Sequence, residues 1–219
     1  NQYVAIGVGL GNSSHSWMEF FNGNLQNYSH RVWKQLPWST YNSNVGTTQI
    51  AFGDVDGDEL DEVIIGLGTY PTNGGWICIL DDESNNYALL KWLQAGWSTY
   101  NSTNGETRVA CGDIDGDGKG EIIVSYGQYI SDGGWIRILD DATNNYSSLK
   151  WLQAGWNAYN STNGETRVAC GDVDGDGKDE IIIGYGQYTS NGGWIKVLDD
   201  ADNSYALLKW VQAGWSAYN

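Results

Sequence analysis

Apolar and polar residues fall along this chain in short runs, not long stripes. Arg167-Val-Ala-Cys-Gly171 and Trp194-Ile-Lys-Val-Leu198 alternate apolar with polar or small residues. Glu180-Ile-Ile-Ile-Gly-Tyr-Gly186 and Tyr205-Ala-Leu-Leu-Lys-Trp-Val-Gln212 are rich in β-branched and aromatic residues. Gly, Asn and Asp punctuate the gaps, as in Thr189-Ser-Asn-Gly-Gly193 and Asp199-Asp-Ala-Asp-Asn-Ser204. Alternation over about five residues between such turns predicts β-strands. In the third segment of each unit, Ile77, Ile136 and Ile195 face one side and Cys78, Arg137 and Lys196 the other.

The layout recurs every 59 residues. Trp17, Trp76, Trp135 and Trp194 keep that step, as do Trp38, Trp97, Trp156 and Trp215, and Tyr28, Tyr87, Tyr146 and Tyr205. A period of this size marks propeller blades or solenoid units. Four short strands per unit make an antiparallel meander, and meanders arranged radially, face on face, make a β-propeller. The expected fold is therefore all-β, a single propeller-type repeat domain over 1–219 of about four blades. The units run approximately over 1–42, 43–101, 102–160 and 161–219. The first unit is partial: Val4–Gly11, Ser16–Phe21 and Tyr28–Trp38 match the second, third and fourth strands, and nothing before Asn1 supplies a first. Fifteen strands follow from that layout. The unpaired edge is where a strand from another copy, or from another extracellular protein, would add.

Composition agrees with a turn-rich β protein: 30 glycines, two prolines and 26 Trp plus Tyr in 219 residues. That length is enough for one domain with a substantial core. The net charge of −16 disfavours nucleic acid and anionic membrane as partners. No apolar run approaches the roughly 18 residues of a membrane helix, and no signal peptide is visible at Asn1. A chain beginning at Asn reads as a processed or trimmed product. Three cysteines make no complete disulfide set. Cys111 and Cys170 share a register with Phe52 and read as core; Cys78 shares one with Glu19, Arg137 and Lys196 and reads as the more exposed, more reactive thiol.

Much of the acidity is gathered in one loop that occurs three times: Asp54-Val-Asp-Gly-Asp-Glu-Leu-Asp-Glu62, Asp113-Ile-Asp-Gly-Asp-Gly-Lys-Gly-Glu121 and Asp172-Val-Asp-Gly-Asp-Gly-Lys-Asp-Glu180. Acidic residues stand at positions 1, 3, 5 and 9, and the glycine at position 4 permits a tight turn. Four carboxylates so close repel one another unless a hard cation binds, and calcium, with six to eight oxygen ligands, fits. The expected ligands are Asp54, Asp56, Asp58 and Glu62; Asp113, Asp115, Asp117 and Glu121; Asp172, Asp174, Asp176 and Glu180. The carbonyls of Leu60, Lys119 and Lys178 at position 7 are added to them, giving three structural Ca2+ sites. An EF-hand is disfavoured, because position 12 is Ile65, Val124 or Ile183 where that motif needs Glu, and the flanks read as strands.

The run Val168-Ala-Cys-Gly-Asp-Val-Asp-Gly-Asp-Gly-Lys-Asp-Glu-Ile-Ile-Ile-Gly-Tyr-Gly186 resembles the FG-GAP repeat, also called the VCBS repeat, of integrin α-subunit propellers and many bacterial and fungal extracellular proteins. The resemblance implies blade architecture, calcium in the hairpin loops at the residues just named and an extracellular location. The family's usual ring has seven blades, so ring size stays open.

Catalysis is disfavoured. His15 and His30 lie only in the divergent first unit, and Ser13, Ser14, Ser16 and Ser29 form no recognisable triad with them. A calcium loop filled by protein oxygens leaves no open position for a substrate. Trp76, Trp135 and Trp194 read as packing between blades, while Trp97, Trp156 and Trp215, in turn-like Ala-Gly-Trp-x-x-Tyr-Asn, are candidate ligand-facing aromatics. Asn12, Asn27, Asn101, Asn145 and Asn160 open glycosylation sequons. The expected function is non-enzymatic: a calcium-stabilised extracellular repeat protein for adhesion or self-assembly into a surface structure or filament. A carbohydrate-binding lectin-type propeller is the alternative, and an accessory domain of a secreted enzyme ranks third.

Overall fold

The computed structural model describes residues 3–8, 15–22, 29–44, 47–70, 72–188 and 192–213. The first blade holds β1 (Tyr3–Val8), β2 (Trp17–Asn22) and β3 (His30–Gln35). The second holds β4 (Thr48–Gly53), β5 (Glu62–Leu67), β6 (Trp76–Leu80) and β7 (Leu89–Gln94). The third holds β8 (Thr107–Gly112), β9 (Glu121–Tyr126), β10 (Trp135–Leu139) and β11 (Ser148–Gln153), and the fourth β12 (Thr166–Gly171), β13 (Glu180–Tyr185), β14 (Trp194–Leu198) and β15 (Leu207–Gln212). Each sheet is an antiparallel meander in chain order, one of three strands and three of four, so the described residues carry the expected fifteen. The register repeats with the sequence. Gly53 pairs with Glu62, Gly112 with Glu121 and Gly171 with Glu180, so each acidic loop closes the hairpin between the first two strands of its blade.

The core is made of three apolar layers, each between consecutive blades. Met18, Phe20, Val63, Ile65 and Cys78 join the first blade to the second. Ile64, Ile77, Ile79, Ile122 and Val124 join the second to the third. Ile123, Ile136, Ile138, Ile181 and Ile183 join the third to the fourth. The pleat sends Ile64 forward and Val63 and Ile65 back, which is why the second strand of a blade is apolar throughout. This layering corrects the expectation for Cys78. Its side of β6 faces the preceding blade and is fully buried, and burial pushes the thiol well above its ordinary pKa. Its counterparts reach that seam and find partners there: the Arg137 guanidinium donates to the Ala95 carbonyl at 3.0 Å and lies 5.0 Å from the Trp151 ring, and Lys196 donates to the Ala154 carbonyl at 3.3 Å. Cys111 and Cys170 are partly buried against Gly53 and Gly112 of the blade before.

Three short helices link the blades where the sequence reads only as turns: α1 (Ser39–Asn44), α2 (Ser98–Asn101) and α3 (Asn157–Thr162). Tyr100 and Tyr159 are buried there, their hydroxyls donating to the Glu106 and Glu165 carbonyls at 2.6 Å. The next asparagine bonds backwards, Asn101 Nδ2 to the Gly96 carbonyl at 3.0 Å and Asn160 Nδ2 to the Gly155 carbonyl at 3.1 Å. Two glycines fix the closest approach of successive units: a Cβ on Gly74 would stand 2.5 Å from the Gly105 Cα, and one on Gly133 2.5 Å from the Gly164 Cα. The fourth strand of a blade starts later than its pattern suggests, at Leu207 rather than Tyr205. Tyr87, Tyr146 and Tyr205 are left-handed, with φ of 55°, 56° and 60°, and end the turn before the strand. A bulky residue accepts that conformation only when packing holds it there; Tyr87 is stacked 4.4 Å from the Phe20 ring.

Candidate metal centre

The three acidic loops share one geometry. Asp54 Oδ1 accepts the Gly57 N–H at 2.6 Å and its Oδ2 the Glu59 N–H at 2.9 Å. Asp56 and Asp58 each accept the N–H two residues on, at 3.2 and 2.9 Å. These are the turns that Asp side chains make with their own backbone, and they recur at Asp113, Asp115 and Asp117 and at Asp172, Asp174 and Asp176. The glutamate at position 9 behaves differently. Glu62, Glu121 and Glu180 are fully buried. Their Oε2 atoms accept the N–H groups of Val55, Ile114 and Val173 at 2.9, 2.8 and 2.7 Å. Their Oε1 atoms are buried and have no hydrogen-bond partner.

Residues that read as an ordinary turn complete the cluster. The hairpin joining the third and fourth strands of each blade opens with an aspartate pair: Asp81-Asp82, Asp140-Asp141 and Asp199-Asp200, all buried. Oxygens of Asp56, Glu62 and Asp81 lie within 4.8 Å of one another, as do those of Asp58, Glu62 and Asp82. In the third blade Asp117, Glu121 and Asp141 meet in the same way, and Asp54, Asp56 and Asp58 form a further trio. Burial, reinforced by Asp56 and Asp54, pushes Glu62 up to about 8, and Glu121 rises to about 8 for equivalent reasons. Burial also pushes Asp82 upward, but hydrogen bonds from Ser84 and Asn85 outweigh it and hold the carboxyl below its usual range. The pair was detectable in the sequence. It repeats at the 59-residue step in every unit that has a loop, and the first unit has Asn22-Gly23 at that register.

Orphaned buried oxygens of Glu62 and Asp82 facing further carboxylates fit a hard divalent cation. The structure brings Asp54, Asp56 and Asp58 into one trio and Asp56 and Asp58 each against Glu62, and in the third blade Asp113 and Asp115 against Glu121 and Asp117 against Glu121. At position 7 the side chains diverge. Leu60 is exposed, Lys119 turns back to Asp141, and Lys178 bonds Asp202.

A second feature repeats on the surface. Trp97, Trp135 and Trp151 line a cleft of 340 Å³ with Asp132 at its rim, and Trp38, Trp76 and Trp92 line one of 360 Å³ with Asn73. Gln153 Nε2 donates to Asp132 Oδ1 at 2.7 Å, and Gln94 Nε2 to Asn73 Oδ1 at 3.2 Å. Trp97 and Trp156 are half-buried, packed 4.6 and 4.7 Å from Tyr100 and Tyr159, and Trp38, Trp97 and Trp156 each meet an aromatic ring of the next unit, Trp76, Tyr126 and Tyr185. Trp215 lies outside the described residues.

The sequons divide. Asn101 and Asn160 are buried with their amide nitrogens bonded to backbone, so the folded chain has no room for a glycan there, a correction to the sequence expectation. Asn145 is exposed and accepts from Lys91 at 2.8 Å; Asn12 and Asn27 lie outside the described residues. His30 pairs with Glu19 at 2.9 Å. No helix among the described residues is long and apolar enough to cross a membrane.

Residues 166–196, spanning the acidic loop and three strands of the fourth blade, match the family model of the FG-GAP repeat. The equivalent strands and loops of the second and third blades, at the same register, support an FG-GAP propeller. Among solved structures the chain is similar to an exotype rhamnogalacturonan lyase, YesX, at 15% identity and a TM-score of 0.51. The likeness covers 95% of this chain but only 43% of that structure's length, and at that identity it speaks for the fold alone. No curated protein matches the chain.

Proposed function

We propose that this chain is a non-enzymatic, extracellular repeat protein whose blades are held by three structural calcium ions and which works by adhesion or by assembly into a larger surface structure. One observation carries the assembly reading. Val55 and Ile114, at position 2 of their loops, are fully buried by the next blade, whereas Val173, the same position in the fourth blade, is 54% exposed. Gly171 and Gly175 meet nothing within 4 Å, whereas Gly53 and Gly112 abut the following blade's cysteines. The fourth blade thus presents a face already shaped for a blade, and a second copy of this chain or another extracellular FG-GAP protein fits it. Among the described residues β1 is the edge strand of the three-stranded first sheet, a place where a further strand would pair. Light scattering and electron microscopy of the calcium-loaded protein across concentrations test this. Concentration-dependent rings or filaments are expected, and a monomer at every concentration would contradict assembly.

The tryptophan clefts favour a second reading, a carbohydrate-binding propeller. Flat indole faces beside an oriented carboxylate or amide suit stacking on a sugar with a hydrogen bond at its rim. A glycan array separates the readings: saturable binding lost in Trp151→Ala would support the lectin.

A further inference from the structure

We infer that the aspartate pair of the third-to-fourth-strand hairpin is the second wall of the calcium site in the second and fourth blades, and that in the third blade Lys119 meets that wall in the cation's stead, leaving the site there to the loop alone. The inference rests on the calcium reading above and concerns where the charge on the cation is met. The loop alone turns most of its oxygens onto its own backbone. Asp54 uses both oxygens for loop N–H groups, and Glu62 uses one. The buried oxygens left over are Glu62 Oε1 and Asp82 Oδ2, both without partners. They belong to residues 0% and 3% exposed that meet Asp58 in one cluster. Asp82 Oδ1 is tied to the Ser84 N–H of its own turn, so Oδ2 is the oxygen left free.

The three blades do not treat this oxygen alike. In the fourth blade Asp200 Oδ1 accepts the Asn203 N–H at 3.0 Å, while its Oδ2 is buried and unpartnered, as is Glu180 Oε1. In the third blade Asp141 Oδ1 accepts the Asn144 N–H in the same way, but its Oδ2 accepts from Lys119 Nζ at 3.2 Å. The ammonium also donates to Thr143 Oγ1 at 2.6 Å and lies 3.8 Å from Asp117. The second blade has Leu60 at this position and no ammonium to offer. In the fourth, Lys178 bonds Asp202 instead of Asp200. A carboxylate already met by a lysine gives little to a cation; one buried without a partner gives much.

Calcium titration calorimetry on the chelator-stripped full chain, with native mass spectrometry to count bound ions, tests this. Asp82→Asn and Asp200→Asn are each expected to weaken one of three sites by about tenfold or more, whereas Asp141→Asn changes affinity by less than about threefold. In a Lys119→Met background Asp141→Asn should weaken its site about as much as the other two. The inference is overturned if Asp82→Asn and Asp200→Asn retain three full-affinity sites, or if Asp141→Asn alone is as damaging as Asp82→Asn. If a variant folds only with calcium, the ion count in saturating calcium decides: two supports the second wall, three refutes it. A wild-type chain that binds no calcium refutes the calcium reading itself, an outcome distinct from wild-type binding with silent aspartate variants.

Discussion

Asp179 and Asp113 hold each other from adjacent blades: the Asp179 N–H donates to the Asp113 carbonyl at 2.8 Å, and the Asp179 carboxylate accepts the Asp113 N–H at 3.1 Å. The second and third blades have only the backbone half of this clasp, Gly120 N–H to the Asp54 carbonyl at 2.7 Å. Asp179→Ala leaves the Asp113 N–H without its partner. In saturating calcium this should lower stability by about 1 kcal/mol, read as a shifted urea midpoint with an unchanged slope.

Removing calcium should lower the melting temperature sharply. Each bound ion stabilises the folded state by about 2.7 kcal/mol at a free concentration one hundred times its Kd, and the loops left behind hold clustered carboxylates. Differential scanning calorimetry with chelator, then with calcium restored, checks this; an unchanged melting curve would sink the structural role.

Val55→Asp and Val173→Asp should part company. The first places a charge where exposure is 0% and should cost about 4 kcal/mol or more. The second falls where exposure is 54%, should change monomer stability by less than about 0.5 kcal/mol, and should abolish self-association. Thermal melts and light scattering on both proteins give the comparison.

Arg108 stitches the third blade to the fourth. Its guanidinium bridges Glu106 and Glu165 at 2.8 Å each and donates to the Thr166 carbonyl at 2.9 Å. Arg108→Ala leaves two carboxylates facing one another, Glu165 still paired with Arg167. The expected loss is about 2 kcal/mol, between the values for exposed and buried ion pairs, and measurable by denaturant unfolding.

Thiol labelling should leave Cys78 unmodified in the native protein. The side chain is sealed between two blades and burial disfavours its thiolate. Mass spectrometry after a disulfide reagent at pH 8 should find Cys78 labelled only on unfolding.

The strands and their register were legible because every inter-blade layer repeats the same apolar positions at a 59-residue step, and alternation alone told Ile77 from Cys78. Exposure of the Cys78 position was not legible, because Arg137 and Lys196 stand at a buried seam and reach out of it along their stems. The helices were hidden as well. Ser, Thr, Tyr and Asn have no strong helical preference, and α2 and α3 form around a buried tyrosine and a back-bonding asparagine, which are tertiary facts. The aspartate pairs were legible as the start of a turn, which they are, but not as neighbours of the acidic loop. Asp beside Asn and Ser is the composition of a turn, and only the fold brings Asp82 against Glu62.

The Gly74–Gly105 contact makes one pitch-setting unit of two positions 31 residues apart. Neither glycine acquires a side chain alone without prising the blades apart, and changing both doubles the obstruction. Each unit therefore carries a half-contact on either side, Gly105 toward the unit before it and Gly133 toward the unit after, so a unit set beside another brings the matching glycine with it.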